Sequence, residues 1–320
     1  MSTFDVISIG SAAQDIFLES EAFRAVRDVR TNDEVEQFPL GAKIEMDAIH
    51  FSTGGGATNA AVTFARQGFK SAFMGKLGHD PAGKAVLNDL HEDGVDSSLV
   101  AYHPDIATDY STLLVTPKGE RVILIYRGSS HTMQESDFDL EHLQAKWLYI
   151  TSLAGNMNFL KQVLTHAKEN GIKTAIDPGS KELEQLSQMQ ELLPLITMIK
   201  GNKEEMGKLV ESDDPAEIAR RLCNNTKYAI VTDGPNGSWA TDGQAMYKAG
   251  MYEDVPVKDR TGAGDAFGSG FVAALLHGWG LDKAIVLGSA NSTSVVQHIG
   301  AKKGIVSKSV KLHDMDLEKL

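Results

Sequence analysis

The chain has 320 residues, 42% of them hydrophobic, which is enough to bury the core of one large domain or of two modest ones. It carries 31 basic and 43 acidic residues, a net charge of -12, and this balance argues against nucleic acid or an anionic membrane as a partner. The single cysteine, Cys223, excludes an intrachain disulfide and a cysteine-built zinc site and favours a cytoplasmic location.

The first predicted element is a buried strand from Phe4 to Ile9, which ends at Gly10. Asp15 follows it shortly afterwards. Loops beyond the carboxyl ends of strands are where α/β sheets bind ligands, so Asp15 is a candidate partner for a substrate hydroxyl. A turn aspartate that bonds its own backbone is an equally good interpretation.

Two β-rich segments, residues 18–51 and 108–126, interrupt the α/β pattern. The second consists of two apolar runs around a Pro/Gly turn, which is typical of a hairpin. We expect the two segments to pair into a small sheet that lies over the active site as a lid. Residues 1–17, 52–107 and 127–320 then form the α/β core that binds nucleotide and substrate.

Three glycines, Gly54, Gly55 and Gly56, precede a helix predicted from about Ala57 to Gln67. Glycines at this position let the backbone approach a ligand closely. Asn59 lies in the first turn of the helix, where its amide could bind a polyol, although a surface asparagine is the simpler alternative.

From Trp147 onward, predicted strands and helices alternate, a pattern that favours a parallel sheet covered on both faces by helices. Asn202 and Glu205 follow one of these strands, one helical turn apart. The carboxylate could hold Mg²⁺ through water. An N-cap followed by a first-turn glutamate is the simpler interpretation of the pair taken alone.

The segment Asp259–Leu276 (DRTGAGDAFGSGFVAALL) combines a glycine-rich turn with an apolar helical pattern. Gly262 and Gly264 precede the helix, whose first N–H groups lack partners within it and can bind phosphate. A carboxylate at such a site, Asp265, fits a base that takes a proton from an attacking hydroxyl, although a capping aspartate is the simpler alternative. We expect the helix N-terminus to lower the pKa of Asp265.

These motifs together resemble the PfkB, or ribokinase-like, family of carbohydrate and nucleoside kinases. The amino-terminal signature is matched by residues 54–59 (GGGATN) and 75–80 (GKLGHD), and the carboxyl-terminal signature by residues 259–265 (DRTGAGD). The resemblance covers essentially the whole chain. It implies an α/β, ribokinase-like fold with a mainly parallel central sheet, helices on both faces and a small β-sheet lid.

The resemblance also implies a role for individual residues. Asp265 resembles the catalytic base, and the backbone N–H groups of Gly262, Ala263 and Gly264 resemble the anion hole. The other implied sites are the following: for the acceptor, Asp15, Gly55, Gly56 and Asn59; for ATP and its Mg²⁺, Asn202, Glu205, Thr232, Gly234, Gly237 and, near the adenine, Asn291; for a monovalent cation such as K⁺, Asp259 and Thr261.

Two departures argue against ribokinase proper, since Ala13 and Gly56 replace its asparagine and lysine. Our favoured prediction is therefore an ATP-dependent kinase of a small sugar or sugar-like alcohol. A nucleoside kinase is the first alternative, and it predicts an aromatic pocket lining from Phe38, Phe51 or Tyr110.

Two further alternatives are a non-catalytic sensor of sugar or nucleotide and, least favoured, a nicotinamide-dependent dehydrogenase, whose glycine motif would have to follow the first strand. The exposed edge of the lid predicts pairing with a second subunit as a homodimer.

Overall fold

The structure, a computed structural model, describes residues 3–252 and 255–320. Over these residues the chain forms sixteen strands and nine α-helices. The strands are β1 (Phe4–Ile9), β2 (Ala13–Glu19), β3 (Ala25–Arg27), β4 (Glu34–Glu36), β5 (Ala48–Gly54), β6 (Ser71–Gly78), β7 (Asp96–His103), β8 (Asp109–Val115), β9 (Arg121–Tyr126), β10 (Ala145–Ile150), β11 (Lys173–Ile176), β12 (Met198–Asn202), β13 (Tyr228–Thr232), β14 (Ser238–Thr241), β15 (Met246–Ala249) and β16 (Leu317–Lys319). The helices are α1 (Gly56–Arg66), α2 (Pro81–Glu92), α3 (Met157–Glu169), α4 (Ser180–Leu183), α5 (Leu186–Leu192), α6 (Lys203–Val210), α7 (Pro215–Cys223), α8 (Ala263–Leu276) and α9 (Leu281–Val295).

The large sheet confirms the predicted α/β class. Its described strands run in the order β16-β15-β14-β13-β12-β11-β10-β1-β6-β7. The seven strands from β13 to β7 are parallel to their neighbours, and β14, β15 and β16 add an antiparallel edge. The parallel strands point their carboxyl ends to one edge, where ligands bind in open α/β sheets.

Helices cover both faces of this sheet. Along β1, Val6 packs in a cluster with Phe64 of α1 and Phe271 of α8, whereas Ile7 packs in a cluster with Leu160 of α3. Neighbouring side chains of a strand point to opposite faces, so a strand buried on both sides carries apolar residues on both. This requirement explains why Val6, Ile7 and Ile9 of β1 are all apolar and fully buried.

A second, four-stranded sheet has the order β5-β2-β8-β9, and β3 and β4 form a separate ribbon. It brings the two β-rich segments together, and the small sheet expected beside the α/β core is confirmed. Its borders differ from the prediction, because β2 begins at Ala13 and β5 continues to Gly54. Residues 13–17 and 52–54 thus belong to the small sheet, because β2 pairs along its whole length with β5 on one side and with β8 on the other.

None of the helices in residues 3–252 and 255–320 combines the length and apolar character needed to span a membrane.

Candidate active site

The glycine-rich turn before α8 leaves backbone N–H groups available. Gly262 has φ of 76°, and a Cβ there would meet Cβ of Ala301 at 2.4 Å, so only glycine fits. The Ala263 N–H is 3.3 Å from the Arg260 carbonyl oxygen, a long hydrogen bond. Among the described residues, no backbone carbonyl oxygen accepts a hydrogen bond from the N–H groups of Gly262 and Gly264. Two of the three predicted donors are therefore free to bind an anion at the helix N-terminus.

Asp265 lies in the first turn of α8 and contacts the amino-terminal turn of α1. Nδ2 of Asn59 donates a hydrogen bond of 2.8 Å to its Oδ2. A Cβ on Gly56 would lie 3.1 Å from Oδ1 of the same carboxylate. The third glycine of the GGG motif therefore makes room for the carboxylate, and the structure brings together three residues that were predicted separately.

The electrostatic surroundings of Asp265 overturn one expectation. Burial raises the pKa of its carboxyl group, and the Asp177 charge raises it further. The hydrogen bond from Asn59 and the charges of Lys200 and Lys302 oppose this shift without cancelling it. The prediction of a lowered pKa was wrong, because desolvation outweighs the helix dipole at this position.

Asp15 lies in the second sheet, and not in a loop after β1 as predicted. It is 6% exposed, and its neighbours across the sheet are Ser52 and Ser111. Burial raises the pKa of Asp15, and the nearby charge of Asp259 adds to that increase. A Cβ on Gly54 would meet Oδ2 of Asp15 at 2.3 Å.

Gly55, the N-cap of α1, has φ of 97°, and a Cβ there would meet the Ser11 carbonyl oxygen at 2.4 Å. Together with Gly54 and Gly56, it lets the small sheet, the first loop and Asp265 converge on one spot. The residues predicted to bind the acceptor thus lie close to Asp265.

The glycine-rich turn that leads into α8, residues 260–264, is named the phosphate turn after the anion that its N–H groups are expected to bind. Sequence analysis missed a buried ion pair next to this turn. Nζ of Lys200 is 2.6 Å from Oδ2 of Asp177, and Lys200 is 5% exposed. The ammonium lies 3.1 Å from the position of a Cβ on Gly264. Burial lowers the pKa of Lys200, but the charge and hydrogen bond of Asp177 outweigh it, and the pKa is raised overall. A lysine directly after the apolar residues Met198 and Ile199 was the available signal.

A second buried lysine, Lys302, was also missed. Its ammonium contacts the hydroxyl of Thr53 in the small sheet and Oδ2 of Asp89 in α2, the latter at 3.0 Å. Burial lowers the pKa of Lys302, although the Asp89 and Asp15 charges oppose the shift. This residue comes after the last predicted helix, and its partners are more than 200 residues away, so the sequence carried no signal for it.

A cleft of about 320 Å³ opens beside the phosphate turn. Three predicted nucleotide-binding residues, Thr232, Gly234 and Gly237, line it together with Ala263 and Gly264. The cleft therefore runs from the carboxyl end of β13 to the N-terminus of α8, as a nucleotide site would require.

Asn291, predicted to lie near the adenine, is not among the residues that line this cleft. Its side chain is 1% exposed, donates to the Ala266 carbonyl oxygen at 2.8 Å and accepts from the Val306 N–H at 2.8 Å. It therefore ties α8, α9 and the carboxyl-terminal segment together. Ser289 and Thr293 of α9 line the cleft instead.

Asn202 and Glu205 form a reciprocal capping box at the start of α6. Oδ1 of Asn202 accepts from the Glu205 N–H at 2.9 Å, and Oε2 of Glu205 accepts from the Asn202 N–H at 3.0 Å. This is the simpler of the two interpretations of the pair. The other carboxylate oxygen of Glu205 is outside this hydrogen bond, and one such oxygen suits Mg²⁺, which usually keeps several waters.

Asp259 and Thr261 contact each other, and the carboxylate of Asp259 is already occupied by protein donors. Oδ1 accepts from the Thr261 N–H at 3.0 Å and from the Thr261 hydroxyl at 2.8 Å. Arg121 of β9 lies 3.1 Å from the same oxygen. The predicted monovalent-cation site therefore contains a guanidinium group.

Two of the three aromatic residues predicted to line a nucleoside pocket point away from Asp15. Tyr110 and Phe51 pair with Gln14 and Ile16 respectively, on the face of the small sheet opposite Asp15. Phe38 is 40% exposed and packs edge-on against Phe23. The buried Phe17 shares the Asp15 face and lines a cleft of about 310 Å³ beside Arg121.

Comparison with known proteins gives a consistent result. The family model described as "pfkB family carbohydrate kinase" matches residues 5–308. An uncharacterized sugar kinase of Archaeoglobus fulgidus is 26% identical over 75% of this chain and 96% of its own. A ribokinase of Haemophilus influenzae is 27% identical over 82% of this chain and 87% of its own. The structure of a Methanocaldococcus jannaschii nucleoside kinase, described as an archaeal member of the ribokinase family, has a TM-score of 0.75 at 20% identity and covers 95% of this chain and 96% of its own. The chain therefore belongs to the pfkB family of carbohydrate kinases.

Proposed function

We propose that this pfkB-family carbohydrate kinase transfers the γ-phosphoryl group of ATP to a hydroxyl of a small sugar or sugar-like alcohol. The observation that carries the proposal is the position of Asp265. Its carboxylate accepts a hydrogen bond from Asn59 on the acceptor side, and the residue directly follows Gly264 in the first turn of the helix whose N-terminus forms the phosphate side. One carboxylate thus meets both reactants.

Asp265 acts as the general base. It accepts the proton of the acceptor hydroxyl as the oxygen–phosphorus bond forms and the bond to the ADP oxygen breaks. A pKa raised by burial makes this carboxylate a better proton acceptor at neutral pH than an exposed aspartate. The Asn59 hydrogen bond holds Oδ2, so that Oδ1 faces the acceptor.

The phosphate side is formed by the α8 N-terminus. The N–H groups of Gly262 and Gly264 stabilise the negative charge on the transferred group. The cleft between Thr232 and Ala263 holds the nucleotide. MgATP supplies the electrophilic phosphoryl group, and Glu205 would hold the magnesium ion through water while Asn202 fixes the turn beside it.

The acceptor side favours a polyol. The carboxylate of Asp15 and the amide of Asn59 converge where Gly54 and Gly56 leave space. Buried polar groups of this kind gain most from a ligand that offers hydroxyl hydrogen bonds. The small sheet that carries Asp15 covers this side and excludes water, the competing phosphoryl acceptor.

The proposal is tested by ADP release with a panel of hexoses, pentoses and polyols, in the wild type and in Asp265→Asn. We expect ADP to form with one sugar class and to fall by a factor of about 10²–10⁴ in the variant. If no acceptor produces ADP while sugar or nucleotide still raises the melting temperature, the protein is a sensor rather than a kinase.

A nucleoside acceptor is the second candidate, and Phe17 favours it. This aromatic ring is on the same sheet face as Asp15 and could stack on a base. Thermal shifts with ribose, fructose, adenosine and inosine separate the two candidates. A larger shift with nucleosides, lost in Phe17→Leu, would favour the second.

The small sheet also supports a homodimer. All six residues of the edge strand β9 are exposed, and five of them are large and apolar, namely Val122, Ile123, Leu124, Ile125 and Tyr126. Such an edge favours pairing with a second copy of the chain. Light scattering should give a dimer mass for the wild type and a monomer mass for Leu124→Lys.

A further inference from the structure

One side chain of the small sheet, Arg121, contacts a residue beside the phosphate turn. Arg121 is the first residue of β9, and its guanidinium lies 3.1 Å from Oδ1 of Asp259. Asp259 stands three residues before Gly262, whose turn opens α8. The cation on the small sheet and the anion beside the phosphate turn are thus in direct contact.

Both carboxylate oxygens of Asp259 have partners within the protein. Oδ1 accepts from both Thr261 donors and lies 3.1 Å from the Arg121 guanidinium, and Oδ2 accepts from the Gly300 N–H at 3.1 Å. The side chain is 4% exposed. A carboxylate this buried requires a compensating charge, and the guanidinium already supplies it. A monovalent metal ion therefore does not fit beside Asp259 in this arrangement.

Arg121 cannot move independently of the acceptor-binding sheet. It pairs with Val115 of β8, which pairs in turn with Glu19 of β2. The strand β2 also carries Asp15. The ion pair between Arg121 and Asp259 therefore forms only when the small sheet lies in its present position over the core.

We infer that Arg121 is the counter-ion of Asp259 in place of a monovalent metal ion, and that it is a positioning residue which holds the phosphate turn through Asp259 and Thr261. The inference rests on the proposed function only in naming a nucleotide as the anion that this turn binds. It makes Arg121 the link between the acceptor-binding sheet and the nucleotide site.

The test measures ADP affinity by calorimetry and melting temperature, each in potassium chloride and in tetramethylammonium chloride at equal ionic strength. We expect both values for the wild type to be the same in the two salts. Arg121→Met should bind ADP about tenfold more weakly in tetramethylammonium, and K⁺ should restore the affinity by entering beside the vacated carboxylate. Arg121→Lys should keep most of the affinity.

Lys118→Met is the matched control, because Lys118 is an exposed cation on the same hairpin, three residues away. It should behave as the wild type in both salts. This control separates the loss of one particular contact from the loss of a positive charge near the site.

Three results would overturn the inference. They are a K⁺-selective stabilisation of the wild type, an Arg121→Met protein that binds ADP normally, and a loss of affinity that K⁺ does not restore. A raised acceptor KM with unchanged ADP affinity would likewise overturn it, by making Arg121 an acceptor ligand. The ADP affinities and melting temperatures require no turnover, and only the acceptor KM does. If the wild type binds no ADP, the proposed function fails, and the K⁺ dependence of the melting temperature of Arg121→Met still decides the role of Arg121.

Discussion

Asn59 in the first turn of α1 donates a 2.8 Å hydrogen bond to Asp265 in the first turn of α8, across 206 residues of sequence. This pair of side chains thus connects two helix N-termini. The N-terminus of α1 lies beside the small sheet, and that of α8 follows the phosphate turn. The hydrogen bond stabilises the charged form of a carboxylate that burial destabilises.

Replacing Asn59 by aspartate should raise the pKa of Asp265 further. Two carboxylates at hydrogen-bond distance cannot both ionise readily, so the pair should bind a proton more tightly. We expect the acid limb of the kcat/KM profile to move by at least one pH unit, about tenfold in rate below neutrality, with recovery at alkaline pH. Asn59→Ser, which adds no charge, should move the limb much less. An unchanged profile in Asn59→Asp would place the titrating group elsewhere.

Asp265→Asn should make the protein more stable at neutral pH while it lowers turnover. Because the folded-state pKa is raised above the unfolded value, the carboxyl group costs stability once the pH exceeds that value, and the cost disappears as the pH falls. We expect a gain of about 1 kcal/mol near pH 7.5 that vanishes near pH 4, measured by urea unfolding at several pH values. A gain of equal size at both pH values would contradict this account.

Breaking the ion pair of Lys200 and Asp177 should destabilise the fold. Lys200→Met leaves an uncompensated carboxylate that is 13% exposed, and such a loss costs about 3–5 kcal/mol. Chemical unfolding checks the value. The double variant Lys200→Met with Asp177→Leu should recover much of the loss, since it buries no unpaired charge. Strictly additive effects would show that the two residues are not coupled.

Gly54→Ala should weaken acceptor binding selectively. The new Cβ would stand 2.3 Å from Oδ2 of Asp15, so the carboxylate would have to turn away. We expect the acceptor KM to rise by about tenfold or more, while the KM for ATP, bound on the other side of Asp265, provides the internal control. Equal changes in both values would point to a general distortion of the protein.

The sequence was informative where chemistry is local. The glycines before α1 and α8, Asn59 and Asp265 were identified because a glycine-rich turn before a helix has a recognisable pattern. The alternation of strands and helices after Trp147 likewise predicted the parallel sheet.

The sequence was uninformative where the chemistry depends on distant partners. Lys302 and Arg121 reach Asp89 and Asp259 from segments with no motif of their own. The pKa of Asp265 depends on burial, which a helix-dipole argument omits. The family resemblance placed Asn291 near the adenine, yet tertiary packing turns its amide into the protein interior.

The strand β5 ends at Gly54, and α1 starts only two residues later, at Gly56. No loop separates the covering sheet from the helix that carries Asn59, so the two form one mechanical unit. If the sheet lifts to admit an acceptor, we expect it to pull on the backbone that carries Asn59 and so on the hydrogen bond to Asp265. The movement that opens the site would then also displace the proposed base.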